Sequence, residues 1–113
     1  IYDEIYCARG EMENRIKEQQ LGLFADRTSC HGWWANQFRL LLSAAAYVLV
    51  ETIRRVGLCG TELCKAQVST IRLKLLKLGT VILRNTRRIQ LLFSSAYVYQ
   101  QLFGTVLARL STA

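Results

Sequence analysis

The sequence predicts an α+β fold that is mostly helical. Two segments in its first half carry apolar residues at helical spacing, and a basic segment in its second half alternates apolar and charged residues with period two. With 113 residues, of which 51% are hydrophobic, the chain is long enough and apolar enough to bury a core. We therefore expect a folded segment about the size of one domain.

The first helix is predicted over residues 1–21. Its apolar residues recur at spacings of three and four, which is the period of an amphipathic helix; they are Ile5, Ala8, Met12 and Ile16. Gly22 marks the end of this helix. Residues 22–32 mix glycine with short polar residues, and this composition is typical of a loop.

The second helix is predicted over residues 33–56, and we expect the Trp33–Trp34 pair to anchor its start in the core. Its longest apolar stretch, residues 40–50, is shorter than the ~18 to 20 residues that a membrane span requires. A buried helix is therefore expected. Because the helix is apolar around most of its circumference, it needs cover on several sides. Gly57 is the predicted end.

A basic strand meander is predicted over residues 70–93. Residues 71–75 alternate apolar and basic side chains, and residues 81–83 and 89–93 form β-branched or aliphatic runs. A helix from Glu62 through Leu76 is an alternative for the beginning of this region, because Lys, Leu and Arg are good helix formers.

A terminal helix is predicted over residues 97–110. Leu102, Val106 and Leu110 are four residues apart, and Phe103 and Leu107 lie beside them on the same stripe. The sequence contains neither an internal repeat nor a low-complexity linker, so these elements are expected to form a single segment.

The net charge of +7 is distributed unevenly along the chain. The first 30 residues hold six acids and four bases, whereas the rest holds two acids, Glu51 and Glu62, and eleven bases. Seven of those bases lie between Lys65 and Arg88. This excess favours a polyanionic partner, with nucleic acid first and an anionic membrane surface second. A solvated basic face without a specific ligand is an equally weighted alternative.

Two features indicate that the chain is cropped from a longer protein. It begins with Ile1 rather than methionine, and it contains no proline. The four cysteines do not form a recognisable secreted framework, and no signal-peptide pattern opens the chain, which favours a reducing cytoplasm. A zinc site is disfavoured because Cys30 and His31 are adjacent and cannot easily share one metal ion.

The first helix carries a polar face opposite its apolar stripe. Tyr6, Arg9, Glu13 and Gln20 project together, with Lys17 beside them. Arg9 precedes Glu13 by one turn and Lys17 follows it by one turn, which keeps the carboxylate ionised and favours one rotamer. From the spacing alone, ordinary ion pairs worth a few tenths of a kcal/mol each explain this face.

The same residues resemble a known signature. The pattern Tyr6-x2-Arg9-x3-Glu13 resembles the one that bacterial insertion-sequence DDE transposases carry around their final catalytic residue. The family pattern continues to a lysine seven residues after the glutamate, where this sequence has Gln20; Lys17, one turn earlier, is the candidate substitute. The segments LFADRTS, ANQFRLLLSAAAYVL, GTEL and TIRLKLLKLG also look like the tail of one branch of these transposases, so the resemblance covers nearly all of the chain.

The resemblance implies that the chain is the C-terminal part of a ribonuclease H-like catalytic core. In such a core, two aspartates on strands and one glutamate on a helix hold two Mg²⁺ ions that support in-line displacement at a DNA phosphate. Glu13 is the expected third metal ligand. Arg9 would hold a phosphate or orient Glu13, and Tyr6 would form a hydrogen bond near the transferred strand.

The two aspartates are expected upstream, outside this chain. Asp3 and Asp26 are explained as an acid at the start of a helix and a loop cap. Catalysis by this chain alone is therefore not expected.

DNA is the expected partner, contacted through the basic side chains Lys17, Arg72, Lys74, Lys77, Arg84, Arg87 and Arg88. The implied function is cut-and-paste transposition of a bacterial insertion sequence, near the nucleoid and away from membranes. The upstream part of the transposase and a second copy are further expected partners. The rival hypothesis is a non-catalytic, basic nucleic-acid-binding module or a decayed remnant, in which Glu13 merely pairs with Arg9 and Lys17.

Overall fold

The computed structural model describes residues 2–112 and shows an α+β fold that is mostly helical, as predicted. Three of its helices continue from an α-helical into a π-helical part. In chain order the elements are α1 (Tyr2–Lys17, then π-helical Glu18–Gly22), α2 (Trp33–Thr52, then Ile53–Gly57), α3 (Val68–Ile71, then Arg72–Leu76), β1 (Thr80–Arg84), β2 (Ile89–Phe93) and α4 (Gln100–Thr112). Residue 1 of the predicted first helix lies outside the described residues.

The strand prediction is wrong for residues 70–76, which are helical. Val68, Ile71 and Leu75 are spaced three and four apart and are 1% exposed or less, so they form one apolar stripe of a helix. The alternation of residues 71–75 fits both periods, and burial of this stripe decides between them. Strands begin only at Thr80, and the predicted meander is a single antiparallel hairpin.

The core is small and lies between the second half of α2, the segment after it, α3 and α4. Its buried apolar side chains are Val50, Leu58, Leu63, Val68, Ile71, Leu75 and Val106. We call these packed elements the helical body. Neither the α-helical part of α1 (Tyr2–Lys17) nor the hairpin contributes a buried residue, so both project from the helical body.

The expectation that α2 is a buried helix is wrong for its first half. Trp33 and Trp34 are 65% and 78% exposed and contact each other edge to face, so they do not anchor in the core. Other elements bury α2 mainly from Val50 onward, because α4 packs against its π-helical end. Within residues 2–112, no helix combines the length and apolar character that crossing a membrane demands.

Gly57 is required where α4 meets α2. A Cβ at this position would lie 2.7 Å from Cγ1 of Val106, a stiff, β-branched and buried side chain. We expect Gly57→Ala to lower the free energy of unfolding by about 1–3 kcal/mol through overpacking. Urea unfolding followed by circular dichroism measures the change.

The matched control is Gly104→Ala in α4, where an added Cβ would meet nothing within 4 Å. There alanine is expected to raise stability by about 0.5–1 kcal/mol, because glycine is the poorer helix former. Equal effects of the two substitutions would contradict the close approach at Gly57.

Candidate catalytic helix and basic hairpin

Helix α1 brings the three signature residues onto one exposed face. At 100° per residue, Tyr6, Arg9 and Glu13 fall within about 60° of one another around the helix. Arg9 Nε lies 3.4 Å from Glu13 Oε1, and the two side chains are 77% and 64% exposed. An exposed pair of this length contributes little to stability. The Glu13 carboxylate is thus open to a ligand.

Tyr6 is part of an aromatic pair that the sequence reasoning missed. Its ring stacks on Tyr2, one turn earlier, with centroids 6.1 Å apart and planes 17° apart. Both rings are exposed, at 66% and 79%. The i, i+4 spacing of two tyrosines was the available signal.

Lys17 does not join Glu13. Among the described residues, Arg9 supplies the ion pair to Glu13, while Lys17 lines a cleft of about 570 Å³ between α1 and residues 64–69. Lys65 lies on the opposite side of this cleft. The predicted substitution of Lys17 for the family lysine therefore stays a prediction.

The metal prediction rests on Glu13 as a single ligand. Within residues 2–112, no three side chains of His, Cys, Asp or Glu come together as a metal site, so Asp3 and Asp26 do not complete one around Glu13. An exposed carboxylate is the type of oxygen ligand that Mg²⁺ accepts, and Mg²⁺ takes only a few such ligands from a protein. The residue present therefore fits one position in a magnesium site.

A charged network fastens the end of α1 to the helical body. Arg54 is 6% exposed; its Nη2 donates to Glu18 Oε1 at 3.0 Å and its Nη1 donates to Glu51 Oε2 at 2.8 Å. Glu18 Oε1 also accepts a hydrogen bond of 3.2 Å from the backbone N–H of Val68, at the start of α3. The network thereby joins α1, α2 and α3.

Arg15 also belongs to this network. It pairs with Glu18 at 3.4 Å, and the Glu18 side chain is only 14% exposed. Burial lowers the pKa of Arg15, but the carboxylates of Glu51 and Glu18 raise it above its ordinary value overall. No sequence signal links Arg54 to Glu18, which is 36 positions away along the chain.

Arg72, one of the predicted DNA contacts, is occupied within the fold. Its Nη1 donates to the carbonyl oxygen of Gly22 at 2.8 Å, and its guanidinium lies 4.8 Å from the centroid of the Phe24 ring. Gly22 is buried against Val68, where a Cβ would approach Cγ1 to 3.2 Å. Arg72 therefore holds the π-helical end of α1 against α3.

The hairpin gathers three other predicted DNA contacts at its tip. Residues Thr80 to Arg84 pair antiparallel with Phe93 to Ile89, and Asn85 N–H donates to Arg88 O at 2.9 Å across the turn. Arg84, Arg87 and Arg88 are all exposed there. The structure thus presents three guanidinium groups together on a projecting element.

The base of the hairpin packs on α4, and the segment before α4 is bonded to α3. Phe93 packs on Phe103 with ring centroids 5.2 Å apart, and Tyr97 Oη donates to the Lys74 carbonyl oxygen at 2.6 Å. Burial, with a smaller contribution from nearby Tyr99, raises the pKa of the Tyr97 phenol above its ordinary value. Lys74 Nζ lies 5.5 Å from the centroid of the Tyr99 ring, and Lys77 is exposed beyond α3.

Residues 1–113 match a family model of transposase DDE domains. The chain belongs to the family described as transposase DDE domain group 1. No match was found among curated proteins or among solved structures.

Proposed function

We propose that the chain is the C-terminal part of the catalytic domain of a cut-and-paste DNA transposase with a ribonuclease H-like core. The observation that carries this proposal is the position of Glu13. It lies on α1 about 140° around the helix from Glu18, which fastens α1 to the helical body. The signature face is thereby directed away from the helical body and is accessible to DNA, a metal ion and the rest of a catalytic domain.

Glu13 would hold the metal through its carboxylate oxygens. Bound Mg²⁺ would supply stabilisation of the charge that develops on the attacking and leaving oxygens at the DNA phosphate. Arg9 is close enough to Glu13 to orient its carboxylate, and its exposed guanidinium can also bind a phosphate. The Tyr6 ring is exposed and stacked on Tyr2, and its hydroxyl can donate a hydrogen bond to the DNA backbone.

The direct test is strand cleavage by the full-length protein on DNA that carries the ends of its element. Cleavage is expected with Mg²⁺ and lost with EDTA, and restored Mg²⁺ is expected to restore it. Cleavage that continues in EDTA would overturn the metal-dependent mechanism. A bacterial insertion sequence is the proposed source of the DNA, and a second copy of the transposase is the proposed partner at the paired ends.

The hairpin tip is proposed to bind DNA phosphates without reading sequence. Each phosphate neutralised on duplex DNA contributes about 0.9 to the slope of log affinity against log salt. We therefore expect alanine at Arg84, Arg87 and Arg88 together to weaken DNA binding and to lower that slope by up to about 3. Fluorescence anisotropy at several salt concentrations measures both quantities.

The control for this prediction is Arg55→Ala, which removes an exposed arginine that lies outside the hairpin. Its slope is expected to stay within about 1 of the parent protein. An unchanged slope in the hairpin variant would show that the hairpin tip does not contact DNA.

The same exposed tip favours the rival function, a binding module that contacts nucleic acid but does not cleave it. This rival predicts the same salt dependence, but it assigns Glu13 no role beyond its pair with Arg9. Cleavage that depends on Mg²⁺ and on Glu13 separates the two functions.

A further inference from the structure

The attachment of α1 is unusual because it is confined to one end of the helix. None of the residues from Tyr2 to Lys17 is buried. Specific contacts to the helical body begin at Arg15, which lies 3.6 Å from Glu51, and concentrate in the π-helical part that starts at Glu18. The orientation of the whole helix is therefore determined near its C-terminal end.

Three contacts fix this end. Glu18 receives two guanidinium nitrogens of Arg54 and the backbone N–H of Val68. Gly22 packs directly on the Val68 side chain. Arg72, one helical turn after Val68, donates to the Gly22 carbonyl oxygen. Together they resist both tilting and rotation of α1, because they hold its backbone and one of its side chains from different elements.

Glu18 and Arg54 contribute most of the directional restraint. Their side chains are 14% and 7% exposed, and the carboxylate binds the guanidinium with both oxygens, at 3.0 and 3.5 Å. Glu51 holds Arg54 from its own helix at 2.8 Å, so the guanidinium plane cannot follow Glu18 if α1 moves. A buried, two-point ion pair of this type defines an angle, whereas an exposed single contact does not.

We infer that Glu18 and Arg54 are positioning residues that set the angle of α1 and thereby the place of Glu13. This inference rests on the proposed function. Glu13 lies five residues before Glu18, about 7.5 Å along the helix axis, so a tilt of about 10° at Glu18 displaces it by about 1 Å. A displacement of this size at a catalytic group can reduce a rate about 100-fold.

The test uses Glu18→Gln in the full-length protein. Glutamine keeps the length of the side chain and one oxygen that can accept from Val68, but it loses the charge that binds Arg54. We expect the strand-cleavage rate at saturating DNA to fall about 10- to 100-fold, with the affinity for DNA unchanged. The control is Glu4→Gln, which removes an exposed carboxylate from the same side of α1 and is expected to change neither quantity.

A distance measurement reports on the helix independently of activity. Cys7 on α1 and Cys59 on the helical body are free and exposed, so both accept spin labels once the other cysteines are replaced by serine. Glu18→Gln is expected to broaden or shift the distribution of Cys7–Cys59 distances, and Glu4→Gln is not. If Glu18→Gln does not fold, Arg54→Lys serves instead, because lysine keeps a cation but cannot bind both carboxylates in the same fork.

An unchanged distance distribution, or a broadened one with an unchanged cleavage rate, would overturn the positioning role. Retained cleavage by a Glu13→Gln variant would instead overturn the proposed function. In that case the spin-label distances would still decide whether Glu18 and Arg54 hold α1.

Discussion

Glu13→Gln is expected to reduce Mg²⁺-dependent strand cleavage by the full-length transposase at least about 1000-fold. As the proposed metal ligand, Glu13 would contribute several kcal/mol of transition-state stabilisation, and each 1.36 kcal/mol is about tenfold in rate. Glutamine has the same shape, and Glu13 is 64% exposed with one 3.4 Å ion pair, so folding should change little. Cleavage of radiolabelled DNA ends measures the rate, and anisotropy in EDTA measures DNA binding, which is expected to stay within about twofold.

The control for this substitution is Glu11→Gln. Glu11 is exposed on the same helix, but it lies about 160° around the helix from Glu13 and lines the cleft next to the helical body. The Glu11→Gln substitution removes the same charge from the same helix and leaves the signature face unchanged. Parent-like cleavage in Glu11→Gln together with loss in Glu13→Gln would assign the effect to the position of the carboxylate. Comparable cleavage by both variants would show that Glu13 is an ordinary surface charge without a role in cleavage.

Helices α1 and α4 and the α+β class could be predicted from the sequence because helical periodicity is a local property. Met12 and Ile16 repeat at the period of the helix whether or not anything covers them, and in this structure they are exposed. The region of residues 70–76 could not be assigned in the same way, since a four- or five-residue window fits two periods. Its helical state depends on the burial of Ile71 and Leu75, which is a tertiary property.

The same distinction between local and long-range contacts applies to the candidate site. Tyr6, Arg9 and Glu13 share a face through local spacing, and the structure keeps them together. The contacts that hold α1 are long-range: Glu18 and Arg54 are 36 positions apart, and Gly22 and Arg72 are 50 positions apart. In a single sequence, Arg54 and Arg55 look equivalent, although one is buried in a network and the other is exposed.

Arg54→Met is expected to lower the free energy of unfolding by about 3–5 kcal/mol, because it leaves the half-buried carboxylates of Glu18 and Glu51 without their shared cation. Methionine replaces much of the volume, so the loss reports on charge pairing and hydrogen bonding more than on an empty cavity. Urea unfolding followed by circular dichroism measures the difference from the parent protein.

Arg55→Met is the matched control, since it makes the same chemical change at the next residue, where the side chain is exposed. It should alter stability by no more than about 0.5 kcal/mol.

Arg54 Nε is buried and has no hydrogen-bond partner among residues 2–112, which costs part of the stability that the pairs contribute. A Glu18→Leu/Arg54→Met double variant also removes the unpaired Glu18 carboxylate and is expected to recover part of the loss. A double variant no more stable than Arg54→Met alone would show that the loss comes from the contacts of Glu51 and Val68 and not from an uncompensated Glu18.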